Sequence, residues 1–85
     1  MPKIEIYTKD VCPYCTLAKN LLKAKEQVWE EINLSENPER TEEMLKRCNG
    51  RMTVPEILID DKLIGGYDDL AALNQSGELD RILNS

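Results

Sequence analysis

Apolar positions along the chain come in short blocks whose period alternates between two and about four, with turn residues between the blocks. Ile4 and Ile6 stand two apart in residues 3–8, a stretch rich in β-branched and aromatic residues that predicts a strand. Beyond Pro13, Leu17, Ala18, Leu21 and Leu22 fall at helical spacing, with Lys19, Asn20, Lys23 and Lys25 on the other face. An amphipathic helix reaching about Glu26 follows. Val28, Ile32 and Leu34 share one face of a second predicted strand over residues 28–34, with Glu30 as the misfit. Asn37-Pro38 has the form of an N-cap and first helical residue, opening a helix through Met44, Leu45 and Cys48 to a stop at Asn49-Gly50. Residues 56–59 and 62–64 flank Asp60-Asp61 as a tight hairpin that Gly65-Gly66 ends. Leu70, Leu73, Leu79, Ile82 and Leu83 mark a closing helical segment interrupted near Ser76-Gly77.

The predicted order is therefore β-α-β-α-β-β-α, an α/β fold with a four-stranded mixed β-sheet flanked by helices. A right-handed crossover makes the first two strands parallel neighbours. With 85 residues, no repeat and no Gly/Ser-rich linker, one domain spanning residues 1–85 is expected.

Charge narrows the function. A net charge of -5 argues against nucleic acid as the main partner, because phosphate binding draws on clustered Lys and Arg. Residues 1–5 run straight into alternating, charged sequence with no signal-peptide apolar region, which predicts a soluble, cytoplasmic protein with no membrane partner. Three cysteines are too few for a disulfide scaffold, and two of them have redox or metal spacing.

That pair, Cys12-Pro13-Tyr14-Cys15, falls where the first strand gives way to the first helix. Only a thiolate attacks a disulfide. Unpaired N–H groups at a helix N-terminus stabilise it, moving the thiol pKa from ~8.5 into roughly 3.5–7.5 at such sites. Cys12 is thus the expected nucleophile, and Cys15, on the first turn, the thiol that resolves a mixed disulfide. Pro13 fixes the first helical φ without losing a hydrogen bond. The rival is zinc, which needs four ligands, whereas this chain has no histidine and one further cysteine. A structural disulfide over so short a loop removes little chain entropy.

Four pieces in this order resemble the dithiol glutaredoxins. They are residues 6–9 (Ile-Tyr-Thr-Lys), residues 12–15, Thr53-Val54-Pro55 before a strand, and Gly65-Gly66-Tyr67-Asp68-Asp69-Leu70 after the hairpin. The resemblance implies a thioredoxin fold and reduction of protein disulfides and glutathione mixed disulfides, with glutathione as reductant and no bound cofactor or metal. It also implies a cis Pro55 and a glutathione site drawn from Lys9, Tyr14, Thr53, Val54, Pro55, Gly66, Tyr67, Asp68 and Asp69. The Val54 backbone would pair with the cysteinyl unit as an added strand does. One of Asp68 and Asp69 has at least an equal claim to a plain capping role, since acidic residues suit a first helical turn, and Asp68 is the expected ligand contact. For the glycyl carboxylate, Arg40 and Arg51 are equal candidates. Cys48 and Trp29 read as packing residues.

Candidate partners are glutathione and disulfide-containing or glutathionylated proteins, ribonucleotide reductase among them, met by a monomer. Two alternatives stay open. One is a thioredoxin-like reductase that does not use glutathione. The other is an iron–sulfur cluster carrier ligated by Cys12 and glutathione, against which Pro13 speaks because cluster-carrying relatives usually have a small residue there.

Overall fold

The computed structural model describes residues 2–84. Its strands are β1 (Ile4–Thr8), β2 (Glu30–Asn33), β3 (Glu56–Ile59) and β4 (Lys62–Gly65). Its helices are α1 (Pro13–Ala24), α2 (Thr41–Arg47), α3 (Tyr67–Ser76) and α4 (Glu78–Leu83). The strands form one mixed sheet in the order β2-β1-β3-β4. β1 runs parallel to β2 with Tyr7 opposite Ile32, and antiparallel to β3 with Ile6 opposite Ile57. β3 and β4 are the expected hairpin. Its turn residues Asp60 and Asp61 both take positive φ, 51° and 66°, the combination whose twist matches paired strands.

Because β1 is central, all five of its residues are buried, and its two faces feed separate cores. Ile4 and Ile6, with Ile57 and Ile59 of β3, pack against Ala18 and Leu22 of α1, Leu70 of α3, and Leu79 and Leu83 of α4. Tyr7, Ile32 and Leu58 face the other way, onto Leu34, Met44 and Cys48 on the α2 side. Cys48 and Trp29 are packing residues as expected, the latter half-buried against the α1 core.

Three boundaries and the burial of one position differ from the pattern in the sequence. α1 stops at Ala24, two residues early, because Lys25 caps it and Glu26 turns to φ 59°. Leu17, read as part of the apolar stripe, is 44% exposed. Val28 is 70% exposed and precedes β2, which begins only at Glu30, so Ile32 and Leu34 alone carry that edge into the core. Pro38 opens a 3-10 turn (Pro38–Arg40) ahead of α2, and Asn37 makes no cap, its amide donating instead to the Asn33 carbonyl at 3.1 Å. The stop at Asn49-Gly50 holds. Both take positive φ, and the Gly50 N–H reaches the Leu45 carbonyl at 2.7 Å.

Glu5 is a carboxylate in the middle of the buried strand, and α2 supplies its partner. Arg47 grips it in a two-pronged pair, Nη2 to Oε1 at 2.7 Å and Nη1 to Oε2 at 2.9 Å, and also donates to the Tyr7 hydroxyl at 3.1 Å. The Tyr7 hydroxyl in turn donates to Glu43. Arg47 holds the Glu5 carboxyl below the usual carboxylate range, while burial, with Glu43 accepting its proton, pushes Tyr7 up to about 12. Removing Arg47 leaves the buried carboxylate with only the exposed Lys3 ammonium, 3.7 Å away, so Arg47→Ala should cost about 3 kcal/mol, the lower end for such pairs. Adding Glu5→Gln should return part of that. The Glu5 carboxyl titrates lower in the folded than in the unfolded chain, so wild type's advantage should fade as pH falls below the ordinary carboxylate value. Urea unfolding of wild type and both variants across acid pH measures all three effects.

Candidate active site

Where β1 ends, residues 9–12 turn into α1. Val11 occupies that loop at φ 52° and is 99% exposed, an uncommon conformation for a β-branched residue. Cys12 follows in extended conformation as the N-cap of α1, and its Sγ accepts the Cys15 N–H at 3.2 Å. Serine or aspartate oxygen does this at most helix starts. Pro13 is the first helical residue, and the first turn carries no acidic side chain to oppose a thiolate. Cys12 and Cys15 are joined as a disulfide with Cα atoms 5.2 Å apart. Cys15 is 2% exposed and Cys12 is partly open, so an incoming sulfur meets Cys12 first.

The β1–β3 register sets Tyr7 opposite Glu56, so the turn before β3 lies beside this loop. That turn holds the cis Val54–Pro55 bond, and the Val54 carbonyl oxygen is 3.9 Å from Cys12 Sγ. A groove of about 340 Å³ runs on from there. It is lined by Tyr14 of α1, by Thr53, Val54 and Pro55 of the cis-proline turn, and by Gly66, Tyr67, Asp68 and Asp69 at the start of α3. The Tyr14 and Tyr67 rings, both part of that lining, are in tilted contact with centroids 6.2 Å apart. Of the nine residues proposed from sequence for the glutathione site, eight line this groove and Lys9 does not, being exposed on the loop before Cys12.

The two aspartates divide. Asp69 accepts the Gly66 N–H at 3.0 Å and so caps α3, while Asp68 is exposed and, among the described residues, pairs with no protein group. The two arginines divide as well. Arg40 is bound to Glu43 through Nε at 3.1 Å and Nη2 at 2.8 Å, whereas Arg51 lines the groove. The Arg51 Nη1 lies 3.6 Å from Asp69 Oδ2, over Gly65 and Gly66. Gly65 has φ 119°, and a Cβ there would strike the Asp69 carboxylate and come within 3.0 Å of Arg51 Nη1.

Glu56 is the residue that sequence reasoning missed. It opens β3 fully buried, its Oε2 accepting the Thr53 hydroxyl at 2.8 Å and lying 3.6 Å from Arg51 Nε. Its Oε1 has no hydrogen-bond partner. The signal was a lone acidic residue between Pro55 and the apolar run Ile57-Leu58-Ile59. Cys48 stays in the core on the α2 side, its thiol pushed up to about 11 by burial and by nearby Glu56. Among the described residues, no three His, Cys, Asp or Glu side chains are grouped to hold a metal ion.

The glutaredoxin family profile matches residues 4–64. The chain belongs to the glutaredoxin family. It is 51% identical over 83 residues to glutaredoxin 3 of Escherichia coli strain K12, covering 98% of this chain and 99% of that one. With the glutaredoxin of Pseudomonas aeruginosa it shares 42% identity over 85 residues and the full length of both. Among solved structures, a buckwheat glutaredoxin–glutathione complex superposes with TM-score 0.86 at 27% identity, covering 98% of this chain and 77% of that one. A Brucella melitensis glutaredoxin gives 0.80 at 46% identity, with coverages of 95% and 87%. The sheet and its helices are accordingly the thioredoxin fold, and this glutaredoxin is a thiol–disulfide oxidoreductase with Cys12 and Cys15 arranged as a dithiol.

Burial raises the Glu56 carboxyl above its ordinary value, and Arg51 and Thr53 offset only part of that. A carboxyl raised on folding contributes stability below its ordinary value, which is lost as pH rises through the folded one. Glu56→Gln keeps an acceptor for Thr53 and removes the charge. Its melting temperature should exceed that of wild type at about pH 8 and match it at about pH 4, as thermal unfolding at both would show.

Proposed function

We propose that this glutaredoxin reduces protein disulfides and glutathione mixed disulfides with glutathione as its electron donor. The observation that carries this is a groove lined by Val54, whose carbonyl lies 3.9 Å from Cys12 Sγ, and by the residues at the α3 N-terminus. An extended tripeptide with its sulfur at Cys12 would lay its cysteinyl backbone along Val54, as a strand adds to a sheet edge. The γ-glutamyl ammonium would then meet Asp68, and the glycyl carboxylate Arg51. Tyr14 and Tyr67 would pack on the ligand, with Thr53, Pro55, Gly66 and Asp69 shaping the groove. Lys9 would act at longer range, as an exposed cation near the thiol. That glutathione is bound in the buckwheat complex of the same fold supports the assignment.

In the reaction, the Cys12 thiolate attacks one sulfur of the substrate disulfide, forming a mixed disulfide and expelling the other sulfur as thiolate. The Cys15 thiolate then attacks Cys12 Sγ and releases the second substrate thiolate, leaving the disulfide seen here. Two glutathione molecules restore the dithiol and leave as glutathione disulfide. On mixed disulfides with glutathione, a second glutathione resolves the intermediate and Cys15 is not needed. Protein disulfides of cytoplasmic enzymes such as ribonucleotide reductase are the proposed protein substrates. No described helix is long and apolar enough to cross a membrane.

A glutathione-coupled reductase assay tests this. Cys12→Ser should abolish turnover of both substrate classes, and residual activity there would refute the scheme. Cys15→Ser should keep activity on glutathione mixed disulfides while losing it on protein disulfides. Arg51→Met should raise the KM for the mixed disulfide about tenfold with kcat little changed, the scale of one charge-assisted contact at a half-exposed site.

A further inference from the structure

The thiol exchange uses no group of Glu56, yet burying this carboxyl with one oxygen unpaired costs stability that an apolar residue would not. Both of its polar contacts run to groove residues, Thr53 Oγ1 at 2.8 Å and Arg51 Nε at 3.6 Å. The far end of the Arg51 guanidinium meets Asp69 Oδ2, the same oxygen that caps the Gly66 N–H. A continuous polar chain, Thr53, Glu56, Arg51, Asp69 and Gly66, therefore ties the cis-proline turn to the start of α3 beneath the groove. Glu56 is its only member without exposure to solvent.

We propose that Glu56 is a positioning residue for glutathione, its ionised carboxylate setting the Arg51 guanidinium and the Thr53 hydroxyl where the tripeptide is received, so that its protonation weakens binding. This rests on the groove taking glutathione. Arg51 favours the ionised form, and Asp69 across it opposes it. Cys48 from the end of α2 and Tyr7 from β1, the other titratable neighbours, keep their protons up to about 11 and about 12. The Glu56 carboxyl itself is raised by burial, so it takes up its proton at higher pH than an ordinary carboxylate would.

The probe is S-methylglutathione, a thioether that cannot exchange with Cys12. Its Kd would be measured by calorimetry on the reduced full chain as wild type, Glu56→Gln, Arg51→Met and the double variant. At about pH 8, Glu56→Gln should bind about fivefold more weakly than wild type, and the gap should narrow as pH falls toward and below the ordinary carboxylate value and the wild-type carboxyl takes up its proton. In the Arg51→Met background the added Glu56→Gln should change Kd less than about twofold, since the contact it served is gone. A merely structural role would move stability and affinity together, whereas Glu56→Gln should melt higher and bind more weakly. Wild-type affinity in Glu56→Gln at about pH 8, or an equal loss with and without Arg51, overturns the proposal while leaving the glutathione site standing. No binding of the probe by wild type overturns the glutathione site itself, and this proposal with it.

Discussion

The antiparallel register of β1 and β3 is the constraint on which the active site depends. With Ile6 opposite Ile57 and Tyr7 opposite Glu56, the chain leaving β1 and the chain entering β3 meet at one end of the sheet. The first carries Cys12 and the second Val54-Pro55, so a pairing made in the core sets the thiol 3.9 Å from a backbone carbonyl more than forty residues away in sequence. Slipping that register by one residue would turn Ile57 and Ile59 out of the α1-side core. The burial of those isoleucines and the geometry of the catalytic end are thus one constraint.

The same two strands carry the two buried glutamates, and their surroundings explain opposite consequences. Glu5 on β1 faces Arg47, whose planar fork meets both carboxylate oxygens, so the charge is compensated where it stands. Glu56 on β3 has Arg51 on one oxygen only, at 3.6 Å, and the other oxygen is unpaired. The first therefore titrates low and fastens α2 to the sheet. The second titrates high and borders the groove, where a charge retained at a cost in stability is a mark of function.

Legibility in the sequence followed how local each cause was. The period-two run at Ile4 and Ile6, the Asp60-Asp61 turn and the Gly77 break announce themselves within a few residues, and each stands where expected. Val28 misled because an edge strand obtains its extent from its neighbour, and β1 offers partners only from Glu30 onward. Asn37-Pro38 misled because the Asn37 amide found the Asn33 carbonyl, a competing local bond that fits a turn as well as a cap. Arg40 and Arg51 were indistinguishable along the chain, since their difference lies in Glu43 claiming the first while the second reaches Asp69 across the groove. Glu56 was legible only as an oddity, because its importance comes from groups that the fold brings around it.

Two helix N-termini face the catalytic end, and they are used differently. At α3 the backbone N–H of Gly66 is already taken by Asp69, and Asp68 adds a second negative charge to the first turn. At α1 no acidic residue stands in the first turn, and the N-cap acceptor is the Cys12 sulfur itself. The bond from the Cys15 N–H to that sulfur grows stronger when the sulfur is an anion, so reduction of the disulfide turns a weak cap into a charge-assisted one. The positive end of the α1 dipole is thereby reserved for the thiolate, while the aspartates at α3 leave that wall suited to a cationic group. A zwitterionic ligand entering with its sulfur toward Cys12 and its ammonium toward Asp68 meets both fields in their favourable sense, and in the reverse orientation meets neither.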